Sequence, residues 1–169
     1  MKLIELKKED ISLFKKYMKE AFQNGYESVC GKDDEHSEVL PEKDIDDNLN
    51  NKNSYAYEMI DNDEIVGGVI VTIDEKTKHN HLDFLFVKVG IQSKGVGQKI
   101  WKEIEKLYPG TKIWETCTPY FDKRNIHFYV NKLGFHIVEY FNGKHPDTNR
   151  PEDCYEEDDG MFRFEKVMK

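Results

Sequence analysis

Hydrophobic residues recur along this chain with two different periods, and the alternation between them predicts a mixed α/β fold. Ile11, Phe14, Met18 and Phe22 are spaced as on one face of a helix, so residues 9–23 form a predicted helix. The same analysis predicts helices over 41–49, 96–107 and 125–133, and strands over 2–6, 54–60, 65–73, 81–87, 112–118, 136–141 and 161–168.

The order of these elements indicates how they pack. Strands joined by short turns come first, and a strand–helix–strand–helix part follows. This order predicts a mixed, largely antiparallel central sheet with helices on both faces. The polar segments 24–40 and 142–160 are predicted loops. A chain of 169 residues is long enough to bury its own core, so we expect a single domain, residues 1–169.

Composition argues against several classes of protein. No run approaches the ~20 apolar residues of a membrane span, and the first residues turn polar too soon for a signal peptide. We therefore expect a cytoplasmic protein without a membrane partner. The three cysteines are far apart and form no Cys-x-x-Cys pair, and the histidines lack partners at ligand spacing. Neither a disulfide framework nor a metal site is expected.

The net charge of −8 is unevenly distributed. Residues 27–47 hold nine acids and two bases, and residues 152–159 hold six acids and no base. These two segments carry a charge of −13, so the rest of the chain carries +5. The acidic balance disfavours nucleic acid as a partner. This uneven distribution of charge is compatible with an anionic cofactor bound beside a cationic substrate. It is equally compatible with two solvated acidic loops.

A glycine-containing turn between a predicted strand and a predicted helix is the strongest chemical signal. Glycines let the backbone approach a ligand closely, and the first turn of a helix offers unpaired N–H groups that bind phosphate. The third glycine of a dinucleotide-binding turn is absent, because Ile100 stands there, and so is the Gly-Lys-Ser/Thr of a P-loop. The residues of this turn are Gln92, Ser93, Lys94, Gly95, Val96 and Gly97.

Two segments resemble one enzyme family. The turn Gln92–Gly97 has the pattern Gln/Arg-x-x-Gly-x-Gly/Ala that follows a strand in GNAT N-acetyltransferases. The segment Asn125–Phe135 is similar to that family's helix ending in Tyr-x-x-x-Gly-Phe. The step from Tyr129 to Gly134 is five residues here instead of four, so either the helix carries a bulge or its end is rotated.

The resemblance implies the co-substrate and how it is bound. Acetyl-CoA would place its pyrophosphate on the turn Gln92–Gly97, and Asn125 would contact it or only cap its helix. A bulge in the fourth strand of the family makes room for the pantetheine arm. The backbones of Val87 and Val89 would then face that arm, and the Val87 N–H would bond the thioester carbonyl. Ordinary strand packing is the alternative for both valines.

The resemblance also implies direct attack of an amine on the thioester. Tyr129 is the candidate acid for the thiolate, or it only packs against the core. His81 and Asp83 lie two apart, so they are expected to share a strand face with Leu85 and Val87. Either one, or Glu115, could accept the proton of the amine through water. Cys117 has no histidine beside it in sequence and is expected to be a core residue.

The expected function is therefore an acetyl-CoA-dependent N-acetyltransferase acting on an amine, with a cationic acceptor favoured by the acidic segments. Two alternatives stay open: a CoA-binding regulatory module without turnover, and transfer of a longer acyl chain. The sequence does not identify the acceptor, and it leaves a homodimer open.

Overall fold

The computed structural model describes residues 1–32, 38–91, 95–149 and 160–169, and these group into two compact units, residues 1–111 and 112–169. The first unit contains β1 (Lys2–Glu5), α1 (Ile11–Cys30), α2 (Glu42–Leu49), β2 (Ser54–Asp61), β3 (Glu64–Thr72), β4 (His79–Val87) and α3 (Val96–Leu107). The second contains β5 (Ile113–Pro119), α4 (Lys123–His127, continued by a π-helical segment Phe128–Leu133), β6 (His136–Phe141) and β7 (Met161–Val167).

In the first unit, β1 to β4 form an antiparallel meander in chain order. Two consecutive glycines in β3 let helices pack closely on both faces of this sheet. A Cβ on Gly67 would lie 3.0 Å from Cδ1 of Ile100 in α3, whereas a Cβ on Gly68 would lie 2.2 Å from the ring of Phe14 in α1. Neighbouring strand residues face opposite sides, so α3 covers one face and α1 the other.

Helix α1 is longer than predicted. Residues 24–30, expected to be a loop because of Gly25, continue the helix to Cys30. A single glycine in a helix costs only about 1 kcal/mol. Here Gln23 donates from Nε2 to Oε1 of Glu27 at 3.0 Å across that position, and the Ser28 hydroxyl donates to the Gly25 carbonyl at 2.7 Å. These local bonds carry the helix past the glycine until Gly31, at φ +81°, ends it.

A β-bulge at Asp83 changes which side chains of β4 share a face. Leu82 pairs with Val71 and Phe84 with Ile70, so Asp83 is the extra residue. His81, paired with Thr72, therefore lies on the α1 face, and Leu85, paired with Val69, lies on the α3 face. The expectation that His81 and Asp83 share a face with Leu85 and Val87 is wrong, because the bulge shifts the side-chain alternation by one residue.

In the second unit, β7 pairs antiparallel with both β5 and β6. The ring of Tyr129, in the π-helical segment, packs against Phe135 and Phe164 with centroids 5.8 and 5.6 Å apart. The Nζ of Lys166 in β7 donates to the Leu133 carbonyl at 2.6 Å, satisfying one of the last carbonyls of that segment. The segment is thus anchored to β7 by apolar and polar contacts.

One buried acid in the first unit is unusual. Glu58 of β2 is fully buried, and neither carboxylate oxygen has a hydrogen-bond partner in the described parts of the chain. Burial raises its pKa to about 7, and the nearby Asp10 carboxylate adds to the rise, while Lys7 opposes it. In the described part of the chain, no helix has the length and apolar character needed to cross a bilayer.

Candidate active site

Helix α3 begins at a glycine with an uncommon backbone conformation. Gly95 is the N-cap of α3 with φ +75°, in the left-handed region that favours glycine, and no side chain of the described residues caps the helix. Among the described residues, a Cβ on Gly95 would meet only Gln98 Oε1, at 3.9 Å. Val96 and Gly97 are buried in the first turn. The predicted contacts Gln92, Ser93 and Lys94 lie outside the described residues.

The backbone of β4 offers two donors that its neighbour β3 does not use. Lys88 N–H donates to the Val66 carbonyl at 3.0 Å, so the facing pair Val87 and Gly67 is not mutually hydrogen-bonded. The Val87 N–H therefore points away from β3. Alternation of the ladder gives the Leu85 N–H the same direction. Val89, just beyond the strand, is 40% exposed.

His81 and Asp83 form a hydrogen-bonded pair on the α1 face. His81 Nδ1 lies 2.8 Å from Asp83 Oδ1, and the Thr72 hydroxyl donates to Asp83 Oδ2 at 2.7 Å. The hydroxyl of Ser54 lies 2.9 Å from that of Thr72. The side chain of Asp83 is 13% exposed and that of His81 is 37% exposed. The structure thus joins two of the three candidate bases in one unit.

A groove of about 450 Å³ lies on the same side of the first unit. Its walls include Lys19, Glu20 and Glu27 of α1, Glu38 before α2, and Val89 after β4. Its volume is within the range of small-molecule sites, ~300–1,000 Å³. The described residues of its lining include three carboxylates and one ammonium, a balance that favours a cation.

Most described acids of the first acidic segment are already paired within the chain. Lys15 of α1 contacts Glu42 at 2.6 Å and Asp46 at 2.8 Å, and Lys19 contacts Glu38 and Glu42. These pairs tether α2 and the residues before it to α1. They also neutralise several of the carboxylates that were expected from the sequence to attract a cationic acceptor. The second segment, residues 152–159, lies outside the described residues.

The π-helical segment explains the five-residue step after Tyr129. Gly134, at φ +79°, donates to the Tyr129 carbonyl five residues back, and Phe135 N–H donates to the same carbonyl at 3.0 Å. The bulge, one of the two predicted explanations, is therefore confirmed. The Tyr129 side chain is buried, which raises the pKa of its hydroxyl to about 12, while a hydrogen bond from Thr116 lowers it.

The other predicted residues of the second unit have structural partners. Asp122 is the N-cap of α4 and accepts from the Asn125 backbone at 2.9 Å and from its side chain at 2.7 Å. The capping role expected of Asn125 is therefore wrong, because Asn125 lies inside the helix and donates to the cap. Glu115 accepts from Nη1 of Arg163 at 3.2 Å. Arg163 also contacts Glu139 and Glu165. A carboxylate held by a guanidinium is less available as a base. Cys117 is half-buried, not in the core.

Sequence reasoning missed three residues beside these candidates. Leu85 has the same N–H orientation as Val87, which strand alternation could have indicated. Thr72 and Ser54 contact the His81–Asp83 pair through side chains on two other strands. Their involvement depends on strand register, which the order of residues does not reveal.

Comparisons with known proteins agree with this geometry. A family model described as Acetyltransferase (GNAT) family matches residues 15–135. YrkN of Bacillus subtilis (strain 168) is 40% identical over 174 residues, covering 99% of this chain and 94% of that protein.

Two solved structures bound to CoA are similar in fold. PaiA N-acetyltransferase from Thermoplasma acidophilum has a TM-score of 0.70 at 17% identity, covering 99% of this chain and 98% of the other. A Bacillus subtilis acetyltransferase has a TM-score of 0.59 at 25% identity, covering 76% and 86%. The chain thus has the mixed α/β, largely antiparallel fold of these enzymes.

Proposed function

Because this chain belongs to the acetyltransferase (GNAT) family, we propose that it is an acetyl-CoA-dependent N-acetyltransferase that transfers the acetyl group directly to a cationic amine. The observation that carries the proposal is the direction of the Val87 N–H, which points away from β3, together with the left-handed glycine at the start of α3. The family match runs across the boundary of the two units, which supports a single acetyltransferase domain over residues 1–169. We expect it to act in the cytoplasm.

Acetyl-CoA binds in this proposal along β4 and the turn that follows. The first turn of α3 and the Gln92–Gly97 turn hold the pyrophosphate, where unpaired N–H groups and the helix dipole favour anions. The N–H groups of Leu85 and Val87, which point away from β3, are the proposed donors to the thioester carbonyl and the pantetheine arm. A donor aimed at a developing oxyanion lowers the barrier to attack on the carbonyl.

His81 is the proposed base, acting through water on the ammonium of the acceptor. Asp83 accepts a hydrogen bond from Nδ1, which leaves the lone pair of the neutral imidazole on Nε2. Glu115 is a weaker candidate because Arg163 already holds its carboxylate.

Tyr129 is proposed to donate a hydrogen bond to the departing sulfur. With a pKa of about 12, its hydroxyl keeps its proton at neutral pH. Burial therefore suits it to stabilising a thiolate by donation rather than to releasing a proton outright.

The groove between α1 and Glu38 supports a cationic acceptor. Glu20, Glu27 and Glu38 outnumber Lys19 there, and Val89 connects the groove to the end of β4. Carboxylates at a groove raise the local concentration of a cation, and salt weakens this effect. The direct test is CoA release from acetyl-CoA with small amines, polyamines, aminoglycosides and peptide N-termini, at low and high salt.

The outcomes of this screen separate the alternatives. Acetyl transfer to a cationic amine with a salt-dependent KM supports the proposal. Tight acetyl-CoA binding without CoA release above background, for every amine, indicates a binding module instead. Faster transfer from longer acyl-CoA thioesters indicates a different acyl donor. A best acceptor that is neutral or anionic contradicts the role of the groove.

Replacing Gly95 by aspartate should weaken acetyl-CoA binding by about tenfold or more, since a negative charge beside the pyrophosphate opposes the helix dipole. The matched control is Gly95→Ala, which places a Cβ at the same positive φ without adding charge. Isothermal titration of both folded variants measures the difference. Equal affinities would show that the α3 N-terminus does not hold the pyrophosphate.

Replacing Tyr129 by phenylalanine should lower kcat by about 100-fold, at the low end of general-acid contributions, with acetyl-CoA affinity nearly unchanged. The ring contacts with Phe135 and Phe164 are kept, so loss of the hydroxyl is the main change. Tyr120→Phe, at an exposed position of the same unit, is the control. A Tyr129→Phe enzyme that turns over at the wild-type rate would leave Tyr129 with a packing role alone.

A further inference from the structure

A line of polar side chains crosses three neighbouring strands of the first unit. Ser54 of β2 is paired with Thr72 of β3, and Thr72 is paired with His81 of β4. The bulged Asp83 lies between the last two, bonded to Thr72 through Oδ2 and to His81 through Oδ1. The three distances, in order from Ser54, are 2.9, 2.7 and 2.8 Å.

The donors in this line all point toward Asp83. The single hydroxyl hydrogen of Thr72 is given to the Asp83 carboxylate, so Thr72 can only accept from Ser54. The other carboxylate oxygen accepts from Nδ1 of His81. This arrangement determines which ring nitrogen carries the hydrogen in the neutral imidazole, namely Nδ1.

The contact from Thr72 limits how Asp83 can turn. The side chain of Asp83 is only 13% exposed, so water can replace the Thr72 hydroxyl only in part. Without that hydroxyl, Oδ2 loses its partner, which favours rotation of the carboxylate toward solvent. Rotation would move Oδ1 away from Nδ1, and the imidazole would then be free to populate its other tautomer.

We propose that Thr72 is a positioning residue for His81, supported by Ser54, and that it acts by holding Asp83 in the orientation that keeps the hydrogen of His81 on Nδ1. This inference rests on the proposed function for its effect on turnover, and on the hydrogen-bond geometry alone for its effect on the tautomer. An ordinary polar ladder between strands would contribute modestly to stability, and its removal would leave the tautomer unchanged.

The test combines NMR of the ring nitrogens with steady-state kinetics. Wild-type protein, Thr72→Val, Thr72→Ser and Ser54→Ala are labelled with ¹⁵N, and His81 is assigned with the help of His81→Gln. The wild type should carry its hydrogen on Nδ1. Thr72→Val, which has nearly the same shape as threonine, should shift the population toward Nε2–H and lower kcat by about tenfold. Its KM for acetyl-CoA should stay within about twofold, because the CoA contacts are untouched.

Thr72→Ser keeps the hydroxyl and should have the tautomer and kcat of the wild type. Ser54→Ala should change both in the same direction as Thr72→Val, but less. The inference is overturned by an Nε2–H tautomer in the wild type, by an unchanged tautomer in folded Thr72→Val, or by a serine variant as impaired as the valine one. If Thr72→Val does not fold, the tautomer of His81 in the wild type and in Ser54→Ala still tests the inference. A shifted tautomer with unchanged kcat would contradict the role in turnover and leave the rest of the proposed function standing.

Discussion

His81→Ala should lower kcat by about 10³-fold, within the ~10²–10⁴-fold contribution of a positioned general base. The amine must lose a proton to attack the thioester, and His81 is the only candidate base held by Asp83 in the described part of the chain. Binding of acetyl-CoA should change little, because the proposed CoA contacts begin at Leu85. Steady-state kinetics and isothermal titration measure the two effects separately.

His79→Ala is the matched control for this variant. His79 lies two residues earlier on β4 and is also partly buried. It should reduce stability to a similar degree and retain turnover. Comparable rate losses in the two variants would mean that the His81 effect is structural. A His81→Ala enzyme with wild-type kcat would show that the His81–Asp83 pair is not the base, and Glu115 would then be the remaining candidate.

Glu58→Gln should stabilise the protein at pH 8 and have little effect at pH 5. The folded state raises the pKa of Glu58 from 4.5 to about 7, mainly because the carboxylate is buried. The folded protein therefore resists ionisation of this group, and its stability falls as the pH rises from about 4.5 through about 7. A neutral glutamine avoids this loss.

The size of the effect follows from the same shift. At 1.36 kcal/mol per pKa unit, the full penalty above pH 7 is about 3 kcal/mol. We expect about 2 kcal/mol, because local rearrangement lets water reach the ionised carboxylate. That corresponds to a rise in Tm of roughly 4–8 °C for a chain of this size. Denaturant unfolding at both pH values gives the two free energies.

Glu9→Gln controls for net charge in this comparison. Glu9 is exposed on the turn before α1, so its replacement makes the same change in formal charge without altering a buried site. Equal pH dependence in the Glu58 and Glu9 variants would show that burial of Glu58 does not set the trend. A destabilised Glu58→Gln protein at pH 8 would contradict the expectation that ionisation of the buried carboxylate weakens the fold.

The regular elements were largely predictable because their hydrophobic periods are clear. The apolar positions of α3, such as Ile100 and Ile104, are buried as their helical spacing predicts, and the meander β2 to β4 follows its short turns. The end of α1 was not predictable, because Gly25 normally favours a stop and only local side-chain bonds carry the helix beyond it. Local side-chain bonds of this kind outweigh the propensity of one glycine, which is about 1 kcal/mol.

The site was predictable where it depends on local backbone and not where it depends on register. The glycine spacing indicates the left-handed Gly95 at the start of α3, and the five-residue step after Tyr129 indicates either a bulge or a rotated helix end. The face of His81 does not, since one extra residue at Asp83 reverses the alternation. The contacts of Thr72 with Asp83, and of Arg163 with Glu115, join residues distant in sequence, and no local pattern encodes them.

The π-helical segment Phe128–Leu133 has a consequence for comparing relatives by sequence. An insertion absorbed inside one turn leaves both flanks in place, so Tyr129 and Gly134 each keep their own neighbours. Counting back from Gly134 in a relative with a four-residue step would match its tyrosine to Val130 and suggest that the hydroxyl had been lost. A one-residue gap placed between 130 and 133 restores the correspondence and keeps Tyr129 aligned with the tyrosine of shorter helices.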